Sequence, residues 1–503
     1  MLLPIAFSLL LCPIRSYGQD NQKVLEPVDY SPFASASGEN WSVREQDDSV
    51  CKAGSRHFAG SVNVTDDKSL FFWFFESRED PNNRPVIIWL NGGPGASSLV
   101  GLYGEVGPCT IDKDGTRTNY NADSWTEHAN ILFIDQPAGV GFSTVSDNTS
   151  YPYNLESSAP DFVALLETFY SDIFPQYAIN TLYIAGESFG GQYAPHYAAT
   201  ILRKQKENAA GALQTVKLGG IMLVNALVDS TWMSLGHYDL FCTDTPPNLV
   251  RFNETTCRAM AGAGPECQRR GSLCTNTRDP HICESAVEFC MENLDTYFYQ
   301  EVAAHRRSPY DLRRDCPEPP LCGVGGNKFG STSDFLNRED VQRKLGFKSP
   351  IEYQTINFDL NAQWTLDPQI FVPTTSHITF LLDGGANFPG DEINPDAVVS
   401  VLVINGEYDV GCNLPGTLRE YDNLPWHRQA AYRSVKDLKP WYWVDGQEGS
   451  VVGGLWKGTP QHQKGLEFLS VKDAGHMSPA DQRGAVTSIT KSWVNGVQLS
   501  ISL

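Results

Sequence analysis

Short apolar runs recur along the chain, separated by stretches whose apolar positions follow helical spacing. His57–Val64 and Ser69–Ser77 read as two strands joined by the polar turn Thr65-Asp66-Asp67-Lys68. Beyond the Pro81-Asn82-Asn83 turn, Val86–Leu90 is apolar at every position, the pattern of a strand buried on both faces. Similar runs follow at Ile131–Ile134, Leu182–Ala185, Ile221–Val224, Val399–Ile404 and Leu466–Val471. Between them, Phe162, Leu165, Leu166, Phe169 and Ile173 fall on one face of a helix, with Ser157 or Ser158 placed to cap it. Strands alternating with helices predict an α/β fold, a mostly parallel sheet with helices on both faces.

This rhythm breaks from His237 to Pro395, a region of Pro pairs, cysteines and short helical stretches such as Ala286–Gln300. The expected organisation is a core in two parts, residues 19–236 and 396–503, with a cysteine-rich cap insertion at 237–395. Residues 1–18 are expected to be a signal peptide: Leu2 to Cys12 is apolar and Ser16-Tyr17-Gly18 offers small residues at a cleavage point, although no Lys or Arg precedes the run.

Composition narrows the function classes. A formal net charge of −21 disfavours nucleic acid and anionic membranes as partners. No run is long enough to span a membrane. Of the 12 cysteines, Cys12 falls in the expected signal and eight of the rest lie between Cys242 and Cys322. That cluster has no C-x-x-C or H-x-x-x-H pair to hold zinc, so disulfides in an oxidising compartment are expected, with at least one thiol left free. Sequons at Asn40, Asn63, Asn148 and Asn253 fit glycosylation on export.

The chemistry-bearing signal is Gly186-Glu187-Ser188-Phe189-Gly190, a G-x-S-x-G motif after an apolar strand and before the helical stretch Tyr193–Lys204. Such a turn exposes the serine hydroxyl, and the helix N-terminus favours negative charge developing beside it. A hydroxyl attacks only when a base takes its proton, so an acid and a histidine must follow in chain order. His476, just after the last strand run, is the candidate base. His196 instead sits on the helix after Ser188, where packing is its expected role. Asp409, just after Val399–Ile404, is the candidate orienting acid, with Glu407 as its competitor. The turn Asn91-Gly92-Gly93-Pro94-Gly95 ends the strand Val86–Leu90 and is a candidate oxyanion hole, pairing the Gly93 and Phe189 N–H groups. No metal or cofactor is called for.

With these residues assembled, the chain resembles the serine carboxypeptidase family over nearly its whole mature length. The resemblance rests on W-L-N-G-G-P-G at Trp89–Gly95, G-x-Y-G-E-V-G-P at Gly101–Pro108, D-Q-P-A-G-V-G-F-S at Asp135–Ser143, G-E-S-F-G-G-Q-Y at Gly186–Tyr193 and A-G-H-M at Ala474–Met477. The layout is most similar to the secreted fungal members of the carboxypeptidase Y type. The resemblance implies an α/β-hydrolase fold and removal of residues from the free C-termini of peptides and proteins. It also implies export, or a vacuolar or lysosome-like compartment. The family's recognition of the terminal carboxylate maps onto Asn91, Gly92, Glu105 and Glu187. A glutamic acid donates to a carboxylate only while protonated, so Glu105 and Glu187 are expected to be buried together with raised pKa values, favouring acidic pH. Ala96 stands where the family often has a bridged Cys; the resemblance implies that Cys51 and Cys109 pair instead and that Cys412 is the free thiol of the acid loop. Glu407 stands where Asp is more usual, and Val224-Asn225-Ala226 replaces a commoner G-N-G. An esterase or acyltransferase using the same triad, and a non-enzymatic binding protein, are the competing classes. Side-chain preference and oligomeric state are not readable.

Overall fold

The computed structural model describes residues 35–497, apart from 148, 208–209, 244–249, 302–306, 317–321, 323–329, 387–389, 446–448 and 459–463. The expected signal peptide at 1–18, Cys12 and the Asn148 sequon therefore lie outside the described residues.

In chain order the strands are β1 (Ser35–Ser37), β2 (Trp41–Gln46), β3 (His57–Thr65), β4 (Lys68–Phe75), β5 (Val86–Leu90), β6 (Cys109–Ile111), β7 (Thr118–Tyr120), β8 (Asn130–Ile134), β9 (Thr144–Val145), β10 (Leu182–Glu187), β11 (Leu218–Val224), β12 (Ser400–Gly406), β13 (Lys439–Asp445), β14 (Gly449–Gly458) and β15 (Leu466–Val471). The main sheet runs β1-β2-β3-β4-β8-β5-β10-β11-β12-β15-β14-β13, with β9 on the flank of β4 and β6-β7 a separate hairpin. The expected parallel sheet is its central block. There β8, β5, β10, β11, β12 and β15 run parallel, while β1–β4 and β14–β13 extend it antiparallel on either side.

The apolar runs form these strands because both sheet faces are covered. Successive side chains point to opposite faces, and the two large cores divide along that alternation. Val86, Ile88 and Leu90 of β5 enter one core, with Val401 and Val403 of β12. Ile87, Trp89, Leu402 and Ile404 enter the other. The helices Leu155–Thr168 and Gly190–Lys206 cover the first face through Phe162, Leu165, Tyr193 and Tyr197. The helices Leu99–Gly104 and Arg483–Val494 cover the second through Leu99, Leu102, Val486 and Ile489. This three-layer arrangement is the α/β-hydrolase fold.

Three readings of the pattern are corrected in detail. The cap of Leu155–Thr168 is Asn154 rather than Ser157 or Ser158: its side chain accepts from the Ser157 N–H at 2.9 Å, and Ser157 Oγ accepts in return from the Asn154 N–H at 3.2 Å. Asparagine caps as well as serine does, and the helix begins about two turns before its apolar stripe. The stretch Ala286–Gln300 is two helices, Pro280–Cys290 and Thr296–Glu301, joined by a π-helical turn at Met291–Asp295. The edge strands β1, β2, β13 and β14 were not anticipated.

Between β11 and β12 the described residues form helices and turns and contain no strand. The cysteine cluster there is bridged as Cys242–Cys257, Cys267–Cys290, Cys274–Cys283 and Cys316–Cys322. Each bridge restricts the unfolded chain, an effect typically of about 2–4 kcal/mol. Cys51 pairs with Cys109 and Cys412 is a buried free thiol, both as the resemblance implied.

Candidate active site

Adjacent parallel strands deliver the site residues at their carboxyl ends, where open α/β sheets bind ligands. The strand ends are level across the sheet: Gly186 is beside Leu90, Glu187 beside Val224, and Val224 beside Ile404. Asn91–Gly93 follow β5, Ser188 follows β10, Asn225 follows β11, Asp409 follows β12 and His476 follows β15.

Ser188 occupies the one-residue step between β10 and the cap residue Phe189 of the helix Gly190–Lys206, at φ 60°. That left-handed backbone is costly for serine and lifts its hydroxyl clear of the sheet. The neighbours must be small for this turn to close. A Cβ on Gly186 would lie 2.3 Å from the Gly190 carbonyl, and one on Gly92 would lie 2.3 Å from the Phe189 nitrogen. The second contact brings the β5 turn directly against the elbow. Neither the Gly93 nor the Phe189 N–H donates to another group among the described residues, so both remain available to a ligand oxygen. Asp135 holds that turn in place: Oδ1 accepts from Ser97 Oγ at 2.6 Å and the Ser98 N–H at 3.0 Å, and Oδ2 from the Phe142 N–H at 2.9 Å. Burial pushes the Asp135 carboxyl up to about 6 despite these donors.

His476 and Asp409 meet as expected. The ring Nδ1 lies 2.7 Å from Asp409 Oδ2, and the carboxylate is wholly buried. Asp409 also accepts from Asn225 Nδ2 at 2.9 Å and from the Cys412 N–H at 3.1 Å. With Nδ1 committed to the acid, Nε2 is the ring nitrogen left to exchange a proton. Burial lowers the pKa of His476, but the charge and hydrogen bond of Asp409 outweigh it, and Glu105 adds to the rise. The Ser188 hydroxyl makes no hydrogen bond to this ring among the described residues; such contacts commonly tighten when substrate binds. Glu407 is half-buried, does not reach the imidazole and yields the position to Asp409. His196 is a packed residue, its Nδ1 3.1 Å from His377 Nε2.

The carboxylate-binding candidates also converge. Asn91 Oδ1 faces two obligate donors, Trp89 Nε1 at 2.8 Å and the Gly101 N–H at 2.9 Å. Its Nδ2 is thereby turned to Glu105 Oε1 and Glu187 Oε1, each at 3.2 Å. Both carboxyl groups are buried, their Oε1 atoms share the Asn91 amide, and their Oε2 atoms meet no hydrogen-bond partner among the described residues. Two carboxyls so close together in a buried site do not both ionise, so the pair holds a proton. Burial raises the pKa of Glu105. It raises that of Glu187 much further, because the Glu105 charge acts in the same direction. The pair holds its proton as a unit, with Glu187 the more strongly raised member. The Gly92 N–H donates to nothing else among the described residues.

Sequence reasoning gave no role to Asn225, Asp135 or Tyr310. Asn225, at φ 44°, orients the acid from the end of β11. The Tyr310 carbonyl accepts from the His476 N–H at 2.6 Å, and its ring lies 5.3 Å from the imidazole, so the segment between β11 and β12 contributes to the site. The first two sit in stretches already noted, Val224-Asn225-Ala226 and Asp135–Ser143. Tyr310 carried no signal. Ligand atoms of Asp409, Cys412 and His476 lie within 4.8 Å of one another. Acid and ring there are already bound to each other, and burial raises the Cys412 thiol far above its usual range, so the trio is a poor match to a metal, which takes the thiolate.

A family model described as serine carboxypeptidase matches residues 49–496. A carboxypeptidase Y homolog A from Leptosphaeria maculans is 32% identical over 466 residues, covering 91% of this chain and 77% of the relative. The protein of the same description from Sclerotinia sclerotiorum is 32% identical over 436 residues, covering 86% and 71%. Among solved structures, Kex1(delta)p, a prohormone-processing carboxypeptidase from Saccharomyces cerevisiae, shares the fold with a TM-score of 0.71 at 23% identity, covering 90% of this chain and 96% of that one. The chain belongs to the serine carboxypeptidase family and is a serine-type carboxypeptidase.

Proposed function

We propose that Ser188, His476 and Asp409 form the catalytic triad, that the Gly93 and Phe189 N–H groups form the oxyanion hole, and that Asn91, Gly92, Glu105 and Glu187 hold the substrate's terminal carboxylate. His476 Nε2 takes the Ser188 proton as Oγ bonds to the scissile carbonyl carbon. The C=O electron pair moves onto the oxygen, where the two N–H groups receive it. Collapse breaks the C–N bond, His476 returns the proton to the leaving amine, and the acyl group remains on Ser188. Water, deprotonated by His476, then releases the shortened peptide. Asp409 stabilises the imidazolium and fixes the ring tautomer without taking the proton.

The observation that carries the exopeptidase reading is the Glu105–Glu187 pair, two carboxyls buried side by side on the Asn91 amide, where they cannot both be charged. A simple esterase has no use for a protonated acid pair next to its elbow, and a binding protein has none for an oriented triad. Substrates in this reading are peptides and proteins with free C-termini, cleaved best in acid. The bridged cysteines and the apolar N-terminal run support export, to the outside or to a vacuole-like compartment. No helix among the described residues is long and apolar enough to cross a membrane.

Digestion of matched peptides with free and amidated C-termini tests this reading. The free acids are expected to lose residues stepwise while the amides are cleaved at least about a hundredfold more slowly, the scale of a lost charge-assisted contact. Equal rates on both would leave only a general serine hydrolase.

A further inference from the structure

His237 lies in the last turn of the helix Ser230–Tyr238 and takes no part in the chemistry above. Both of its ring nitrogens face acceptors. Nδ1 is 2.8 Å from Asp295 Oδ1, and Nε2 is 3.0 Å from the carbonyl oxygen of Val410, the residue after the catalytic acid. A neutral imidazole carries one N–H and cannot satisfy two acceptors. The contact to Val410 needs a proton on Nε2, since a carbonyl only accepts. The contact to Asp295 needs a second, which the ring, more basic than a carboxylate, carries. The pair therefore holds one proton more than a neutral ring beside a carboxylate.

The surroundings favour that extra proton. Ser234 Oγ donates to Asp295 Oδ2 at 2.8 Å, and the helix C-terminus attracts a cation. The Phe298 ring stacks at 5.8 Å and the Phe241 ring lies at 6.1 Å. The charged groups that act on His237 are Asp295 on the π-helical turn and Asp409 on the acid loop; Asp239, two residues on, is paired with Arg419 instead. Burial opposes the charge on the ring, yet the two aspartates and the two hydrogen bonds raise its pKa overall.

We infer that His237 and Asp295 form a protonated bridge that positions the acid loop, holding Val410 and so the Asp409 carboxylate in register with His476. It is a positioning pair, and its effect on turnover is lost as pH rises and the pair gives up its extra proton. Other ties to the loop do not titrate in that range: Asn413 Nδ2 donates to the Val410 carbonyl at 3.3 Å, and the Val410 N–H donates to Pro309 at 3.0 Å. The inference rests on the catalytic roles proposed above. The two fail separately, because loss of the carboxylate clamp appears in KM and loss of loop position in kcat.

Two measurements test it. In enzyme carrying 15N-histidine, with His237→Gln to identify the signal by its loss, both ring nitrogens of His237 are expected in the protonated range at pH 6. The buried rings of His57, His128 and His377, whose pKa values burial lowers to about 4, about 3 and about 3, are neutral there. A neutral-tautomer signal for His237 at pH 6 overturns the inference. The second uses Asp295→Asn, whose amide donates to Nδ1 permanently and keeps both contacts with a neutral ring. The ratio of parent to D295N kcat, in which the ionisation of His476 cancels, is expected to fall from pH 6 to pH 8 as the parent gives up the extra proton and D295N has none to lose. A purely structural role would leave that ratio level with pH, and that result also overturns it.

Discussion

Replacing Ser188 with alanine is expected to lower kcat by about 10⁶-fold with little change in KM, and His476→Ala to cost about as much. The size follows from the division of labour at the elbow. The hydroxyl is a weak nucleophile, and its competence depends on His476 Nε2, which is available because Nδ1 is held by Asp409 at 2.7 Å. Removing either member removes the whole unit, so the double variant is expected to be no worse than the single ones. Asp409→Asn is a different case. It leaves the shape of the site but presents an N–H where the ring needs an acceptor, and a loss of about 10⁴-fold is expected from the wrong tautomer. What activity remains in these variants reflects the Gly93 and Phe189 donors, which no side-chain replacement removes. Active-site titration with a serine-directed acylating reagent, followed by kcat on a single peptide, checks the series.

The second large effect concerns KM and pH. The Glu105–Glu187 pair holds its proton because both carboxyls are buried and two like charges cannot sit side by side there, and Glu187 is the more strongly raised of the two. Its folded pKa lies above its unfolded value, so the protonated form is the one the fold favours, and that form is lost as pH rises through the raised pKa. Terminal-carboxylate binding is therefore full in acid, and KM is expected to rise about tenfold per pH unit once the pair ionises. Glu187→Gln carries a permanent amide donor in the same shape. In that variant KM is expected to become nearly independent of pH, above the parent value in acid and below it at pH 8, with kcat little affected. Steady-state kinetics across pH 4–8 on one free-acid peptide reads this directly.

Much of this was legible from residue order. The run Val86–Leu90 is apolar at each position because β5 lies in the centre of the sheet and is buried on both faces. The elbow was legible for a related reason: Gly186 and Gly92 stand where any Cβ would strike backbone at 2.3 Å, so the motif records a steric requirement. The parts that escaped depend on contacts between residues far apart in the chain. Asn225 reaches Asp409 across 184 residues, and Tyr310 meets His476 from the helical segment between β11 and β12. Val224-Asn225-Ala226 stood out in the sequence without showing its partner, and nothing near Tyr310 marks it at all. The edge strands β13 and β14 were missed because the hydrophobic alternation of an edge hairpin is interrupted: β14 leaves Leu455 exposed and carries glycines at Gly453 and Gly454. The cap of Leu155–Thr168 was misplaced because the apolar stripe, on which the reading relied, starts at Phe162, about two turns after the helix does.

In the proposed reading the triad makes the chain a hydrolase, and the protonated Glu105–Glu187 pair directs it to a free C-terminus. Calorimetric binding to Ser188→Ala of one peptide as its free acid and as its amide, at a series of pH values, tests that claim most directly. The account predicts that the acid binds at least about a hundredfold more tightly than the amide at pH 5, and that this advantage disappears toward pH 8 as the carboxyl pair ionises. Equal affinities at pH 5, or an advantage for the acid that persists unchanged to pH 8, would contradict it.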